Sequence, residues 1–133
     1  MQQAIICVDD ERAILNALQQ QIMRAFSDTY TLEFAESGEE AIDIINDFIN
    51  QGVTIAAIIT DEMMPGMKGH ELIERVATIS PDTPCILLTG YAQSEIMNHV
   101  TGNNMAHCVS KPWDSEELIA LVQQSINRAM LGQ

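Results

Sequence analysis

The sequence predicts an α/β fold in which a doubly wound, five-stranded parallel sheet is covered by helices on both faces. Three observations predict it. Short apolar runs alternate with longer segments of helical period, and strand-then-helix repeats five times along the 133 residues. Most of the runs are continuously apolar, as in strands buried on both faces. The apolar content of 47% supplies a core for a chain within the commonest domain size, roughly 100 to 150 residues.

Ala4-Ile5-Ile6-Cys7-Val8 is the first run, and Leu15, Leu18, Ile22 and Phe26 behind it keep the spacing of one helix face. Thr31-Leu32-Glu33-Phe34-Ala35 alternates, which suits an edge strand with one wet face. Ser37-Gly38-Glu39-Glu40 sets a hydroxyl three residues before a Glu, a helix-start signal, ahead of Ile42, Ile45 and Ile49. Ile55-Ala56-Ala57-Ile58-Ile59 is the third strand, followed by the helical stripe Leu72, Ile73, Val76 and Ile79. Cys85-Ile86-Leu87-Leu88 is the fourth strand. The segment 93–104 has only Ile96, Met97 and Val100 on its apolar side and closes on Thr101-Gly102-Asn103-Asn104, which predicts a short, mobile helix. Ala106 to Val109 is the fifth strand, and Asp114-Ser115-Glu116-Glu117 caps a last helix carrying Leu118, Leu121, Val122 and Ile126. With no low-complexity tract, solenoid-length repeat or internal linker, residues 1–133 are expected to form a single domain.

Six basic against nineteen acidic residues give a net charge of −13 and a pI near 4.2. Such a surface repels phosphate backbones and anionic lipid, so direct binding to nucleic acid or membrane is not expected. No signal-peptide pattern opens the chain, and no apolar run approaches the ~20 residues of a membrane span. Cys7, Cys85 and Cys108 are odd in number, far apart and embedded in apolar runs, so they are expected as buried free thiols in a reducing, cytoplasmic setting.

In an open parallel sheet, ligands bind beyond the C-terminal ends of the strands. Those ends carry Asp9-Asp10-Glu11, Thr60-Asp61-Glu62, Thr89-Gly90-Tyr91 and Ser110-Lys111-Pro112-Trp113, and Lys111 is one of two lysines in the chain, with Lys68. Crowded carboxylates raise one another's pKa, so a set kept ionised near neutral pH calls for a hard divalent cation, and Mg²⁺ suits one or two carboxylates plus water and phosphate. A Mg²⁺, an ammonium and a hydroxyl together neutralise a transferring phosphoryl group. An Asp is also a competent nucleophile. Asp61, at the end of a central strand and followed by Met64-Pro65-Gly66, is the best-placed one. Helix capping alone accounts for Asp9 or Asp10 singly, but not for the whole set. His70, His99 and His107 have no metal-type spacing and are expected at surface or strand positions; Trp113 is expected to pack at the start of the last helix.

Val8-Asp9-Asp10-Glu11, Thr60-Asp61-Glu62-Met63-Met64-Pro65-Gly66-Met67-Lys68-Gly69, Leu88-Thr89-Gly90 and Lys111-Pro112-Trp113 together closely resemble the receiver domain of bacterial two-component response regulators, over essentially the whole chain. The resemblance implies a flavodoxin-like sheet in order 2-1-3-4-5. It implies Asp61 as the acceptor of a phosphoryl group from a histidine kinase, Asp10 as a direct Mg²⁺ ligand, Asp9 as its partner acting largely through water, and the Met63 carbonyl as a further ligand. Thr89 matches the switch hydroxyl, Lys111 the lysine that contacts the phosphoryl group, Gly90 a position where bulk would block it, and Pro112 follows a bond usually cis in that family. The implied partners are a sensor histidine kinase or phosphotransfer protein, a downstream output domain or protein, and a phosphorylation-dependent second copy. Such a domain signals through the fourth helical segment, the fifth strand and the last helix, and is a switch, not an enzyme.

One position departs from that pattern. Three residues before the lysine the family usually carries Tyr or Phe, and here Cys108 stands there. That leaves open an alternative, a phosphorylation-independent adapter with an impaired switch. Met63 and Tyr91 occupy positions that tune acyl-phosphate lifetime in the family, and here they imply slow self-dephosphorylation. A Mg²⁺-dependent phosphohydrolase with an aspartyl nucleophile would carry a second Asp where Met63 stands.

Overall fold

A computed structural model describes residues 2–90 and 106–131. Its elements are β1 (Gln3–Val8), α1 (Arg12–Phe26), β2 (Thr31–Ala35), α2 (Gly38–Asn50), β3 (Thr54–Asp61), α3 (Gly69–Ile79), β4 (Cys85–Thr89), β5 (Ala106–Ser110) and α4 (Ser115–Leu131). All strand pairs are parallel and the order is β2-β1-β3-β4-β5. The alternating strand β2 is an edge, as its pattern predicts. The helix expected within 93–104 lies outside the described residues, as do Tyr91 and His99.

The continuous apolar runs are continuous because successive side chains feed opposite layers. Ala4, Ile6 and Val8 of β1, Ile58 of β3 and Leu87 of β4 pack under α2 and α3. Ile5 and Cys7, Ile59, and Ile86 and Leu88 pack under α1 and α4. At roughly 1.5 to 3 kcal/mol for each fully buried aliphatic side chain, these two layers dominate what holds the sheet in place. α1 buries Leu15, Leu18, Ile22 and Phe26, the stripe its spacing predicts.

α2 is rotated from the expected stripe. It buries Gly38, Ala41 and Ile45, with Ile42, Ile44 and Phe48 half-buried and Ile49 exposed. The reason is small-residue packing: a Cβ added to Gly38 would fall 2.7 Å from Met67 Sδ, so the glycine lets this helix sit against the β3–α3 loop. Both capping signals hold. Ser37 Oγ accepts from Glu40 N–H at 3.0 Å and Asp114 Oδ1 from Glu117 N–H at 3.0 Å, each worth about 1 kcal/mol.

Cys7 and Cys85 are buried free thiols, while Cys108 is half-buried because β5 is the other edge of the sheet. Burial pushes the Cys7 thiol far up and that of Cys85 to about 12, so neither ionises at neutral pH. Trp113 packs as expected, against the α1 and α4 layer, and its Nε1–H donates to Gln21 Oε1 at 2.8 Å. No helix among the described residues is long and apolar enough to cross a membrane.

Candidate functional site

Because the strands are parallel, their C-terminal ends share one edge, and three of the four segments singled out in sequence converge there through their side chains. Asp9 leaves β1 with its backbone N–H still bonded to Ala35 O at 3.1 Å, and its carboxylate is 0% exposed. Asp9 Oδ1 accepts from Glu11 N–H at 2.9 Å, while Oδ2 is buried with no hydrogen-bond partner among the described residues. Asp61 is the last residue of β3 and 3% exposed. Asp10 is exposed at the rim, and carboxylate oxygens of Asp9, Asp10 and Asp61 lie within 4.8 Å of one another. Lys111 reaches in from beyond β5, with Nζ 2.5 Å from Asp61 Oδ1 and 3.7 Å from Asp9 Oδ2.

Electrostatics follow from that crowding. Burial pushes the Asp9 carboxyl up to about 6, and the charges of Asp61 and Asp10 push the same way against the Glu11 N–H bond and Lys111. Asp61 is also raised, by burial first, with the Lys111 hydrogen bond pulling it down. Burial lowers Lys111, but the Asp61 hydrogen bond and the charges of Asp61, Asp9 and Glu11 outweigh it and hold the ammonium above its ordinary value. One cation among three carboxylates leaves the set under-neutralised. An orphaned, buried carboxylate oxygen with two more carboxylates alongside fits a hard divalent cation. Among the described residues, no histidine belongs to this cluster.

The remaining residues surround it. Thr89 ends β4, 1% exposed, with its carbonyl accepting from Lys111 N–H at 2.9 Å. A Cβ built on Gly90 meets none of the described residues within 4 Å. The Lys111-Pro112 bond is cis. Met63, immediately past Glu62, is 46% exposed. Cys108 faces the α2 and α3 layer, and burial, then the Glu62 charge, raise its thiol.

Sequence reading did not pair Glu62 with His70. Glu62 is 4% exposed, and both its oxygens engage His70, at the first turn of α3. The available signal was a carboxylate at the buried end of a central strand, which needs a partner nearby.

Comparison with known proteins settles the family. The sequence profile of the response regulator receiver domain matches residues 5–123. The chain belongs to the response regulator receiver family. It is 30% identical over 122 residues to the uncharacterized transcriptional regulatory protein YesN of Bacillus subtilis, covering 92% of this chain and 32% of that protein. It is 29% identical over 126 residues to the response regulator MprA of Mycolicibacterium vanbaalenii, covering 93% of this chain and 50% of that one. This receiver domain thus spans a third to a half of the length of these curated relatives. Among solved structures, the signal receiver domain of an HD domain-containing protein from Pseudomonas fluorescens is similar, with a TM-score of 0.83, 27% identity and 98% of both chains covered. Receiver domains of this family are signalling domains of two-component systems, and the 2-1-3-4-5 sheet is theirs.

Proposed function

We propose that this receiver domain accepts a phosphoryl group on Asp61 from the phosphohistidine of a sensor kinase or phosphotransfer protein in the cytoplasm, with Mg²⁺ held by Asp9, Asp10, Asp61 and the Met63 carbonyl. The observation that carries the reading is Lys111 Nζ at 2.5 Å from Asp61 Oδ1 and 3.7 Å from the buried Asp9 Oδ2, an oxygen with no hydrogen bond among the described residues. An Asp61 oxygen forms the new O–P bond as the P–N bond to the donor histidine breaks, the imidazole leaving with the electron pair and taking up a proton. Bound Mg²⁺ supplies charge neutralisation at the phosphoryl oxygens. Lys111, released from the carboxylate by the bond that forms there, is in place to pair with a phosphoryl oxygen, and the Thr89 hydroxyl supplies a donor from β4. The new charge then biases the β4 and β5 ends and the surface of segment 93–104, β5 and α4 toward one arrangement, which an output domain, a partner or a second copy reads.

In this reading the domain is a switch and not an enzyme, and the net charge of −13 leaves any contact with nucleic acid to another domain. The test is beryllofluoride or acetyl phosphate in Mg²⁺ with wild type and Asp61→Ala. A response in wild type alone is expected, and equal responses refute the proposal. One observation favours a second reading: Cys108, half-buried where the family carries a ring, suits a phosphorylation-independent adapter. Partner affinity unchanged by the phosphoryl analogue would select that adapter.

A further inference from the structure

Glu62 stands between the two residues of β3 and its loop that the proposed function uses, Asp61 and Met63, and it is held on every side. Its N–H donates to Leu88 O on β4 at 3.0 Å, and its carbonyl accepts from Gly69 N–H at 3.0 Å. Its Oε1 accepts from His70 N–H at 2.8 Å, and its Oε2 lies 2.6 Å from His70 Nδ1. The imidazole tautomer with its proton on Nδ1 is the one that donates to a carboxylate oxygen in this contact. Three hydrogen bonds therefore close the base of the loop from Met63 to Lys68.

The start of α3 is also seated directly on the phosphoacceptor. A Cβ at Gly69 would lie 2.3 Å from Asp61 O and 2.9 Å from Glu62 Cα. Displacing the first turn of α3 consequently moves the peptide that links Asp61 to Glu62, the backbone immediately following the Asp61 side chain. A helix-capping role alone would need only the Oε1 bond to the His70 N–H, which any residue at position 70 provides. The ring bond adds something else: it fixes the Glu62 side chain at a second point and makes the grip depend on what residue 70 is.

We propose that His70 is a positioning residue for the phosphoryl site, its backbone N–H and ring Nδ1 gripping both oxygens of Glu62 so that Asp61 and the Met63 carbonyl stay in register for the metal. This rests on the function proposed above. Partners one step behind a metal site typically change metal affinity by about 10- to 100-fold when removed.

The experiment is calorimetric titration of the full chain with MgCl₂, alongside the labelling rate from acetyl phosphate, for wild type, His70→Leu, His70→Asn and Asp10→Asn. Leucine keeps the backbone bond and deletes the ring bond; asparagine puts an amide N–H close to where Nδ1 sits. Mg²⁺ affinity is expected to fall roughly tenfold in His70→Leu and to return near wild type in His70→Asn, with labelling following. Should the leucine variant be unfolded in its melt, His70→Ala makes the same comparison. Equal affinity in His70→Leu and wild type, or no recovery in His70→Asn, overturns the positioning role. Unchanged affinity in Asp10→Asn instead overturns the metal site itself and the proposed function with it.

Discussion

Lys111 Nζ sits 2.5 Å from Asp61 Oδ1, joining the residue just past the edge strand β5 to the end of the central strand β3 across the intervening β4. This ammonium is the one cation within reach of the Asp9 and Asp61 carboxylates among the described ion pairs. Replacing it leaves buried negative charge without its cation. Lys111→Met is expected to lower stability by about 1 to 3 kcal/mol, the usual cost of stranding a buried hydrogen-bonding group. It should also sharply reduce labelling by acetyl phosphate. Urea unfolding at pH 7.5 without metal, paired with the labelling assay, checks both.

The raised Asp9 carboxyl gives the metal-free protein an unusual pH dependence. Its value of about 6 lies above the ordinary 3.8, so between those limits the folded chain binds more protons than the unfolded one. Stability then falls as pH rises through that window, and Asp61, raised in the same direction, adds to the trend. Melting temperature without Mg²⁺ is expected to be higher near pH 5 than at pH 7.5. Mg²⁺ should raise it more at pH 7.5, and Asp9→Asn should flatten the slope. Thermal melts across pH in EDTA and in MgCl₂ decide it.

Gly69 and Gly52 separate close packing from backbone conformation. A methyl at Gly69 meets Asp61 O and Leu87 Cδ1 at 2.3 and 2.6 Å, whereas Gly52 has open space but a φ of +78°. Gly69→Ala is expected to cost about 2 to 3 kcal/mol by overpacking and to depress phosphorylation, because the obstructing atom belongs to the backbone of Asp61, the proposed phosphoacceptor. Gly52→Ala should cost about 1 to 2 kcal/mol from the left-handed conformation alone and leave phosphorylation intact. Chemical denaturation and labelling rates of the two variants provide the comparison.

Met63 is 46% exposed, two residues past Asp61, and an apolar side chain there does not orient an attacking water. The aspartyl phosphate is expected to decay slowly, with a half-life of minutes or longer, and Met63→Asn should shorten it by offering a hydrogen-bonding group. A phosphate-release time course giving a half-life of seconds in wild type would refute this.

Fold and site were legible in sequence to different depths, for a physical reason. The five runs and the alternation of Thr31 to Ala35 report burial on two faces or one, and burial is what sheet order requires, so β2 appeared at its edge. Asp9, Asp61 and Lys111 were legible because parallel strands bring their ends together whatever the side chains do. The Glu62–His70 pair was not, since it depends on how the β3–α3 loop folds back, and no periodicity encodes that. The rotation of α2 escaped for a similar reason. Ile42 and Ile49 satisfy the helical period, but the fit of Gly38 against Met67 decides which face turns inward.

The chain's single tryptophan, Trp113, stands two residues past Lys111 and is fastened to α1 through Gln21. That gives the protein an intrinsic optical reporter two residues from the lysine of its acidic cluster. Its emission reads the local setting of the turn that delivers the lysine, without dye, label or partner. Events at Asp61 that tug on Lys111 are expected to shift that emission.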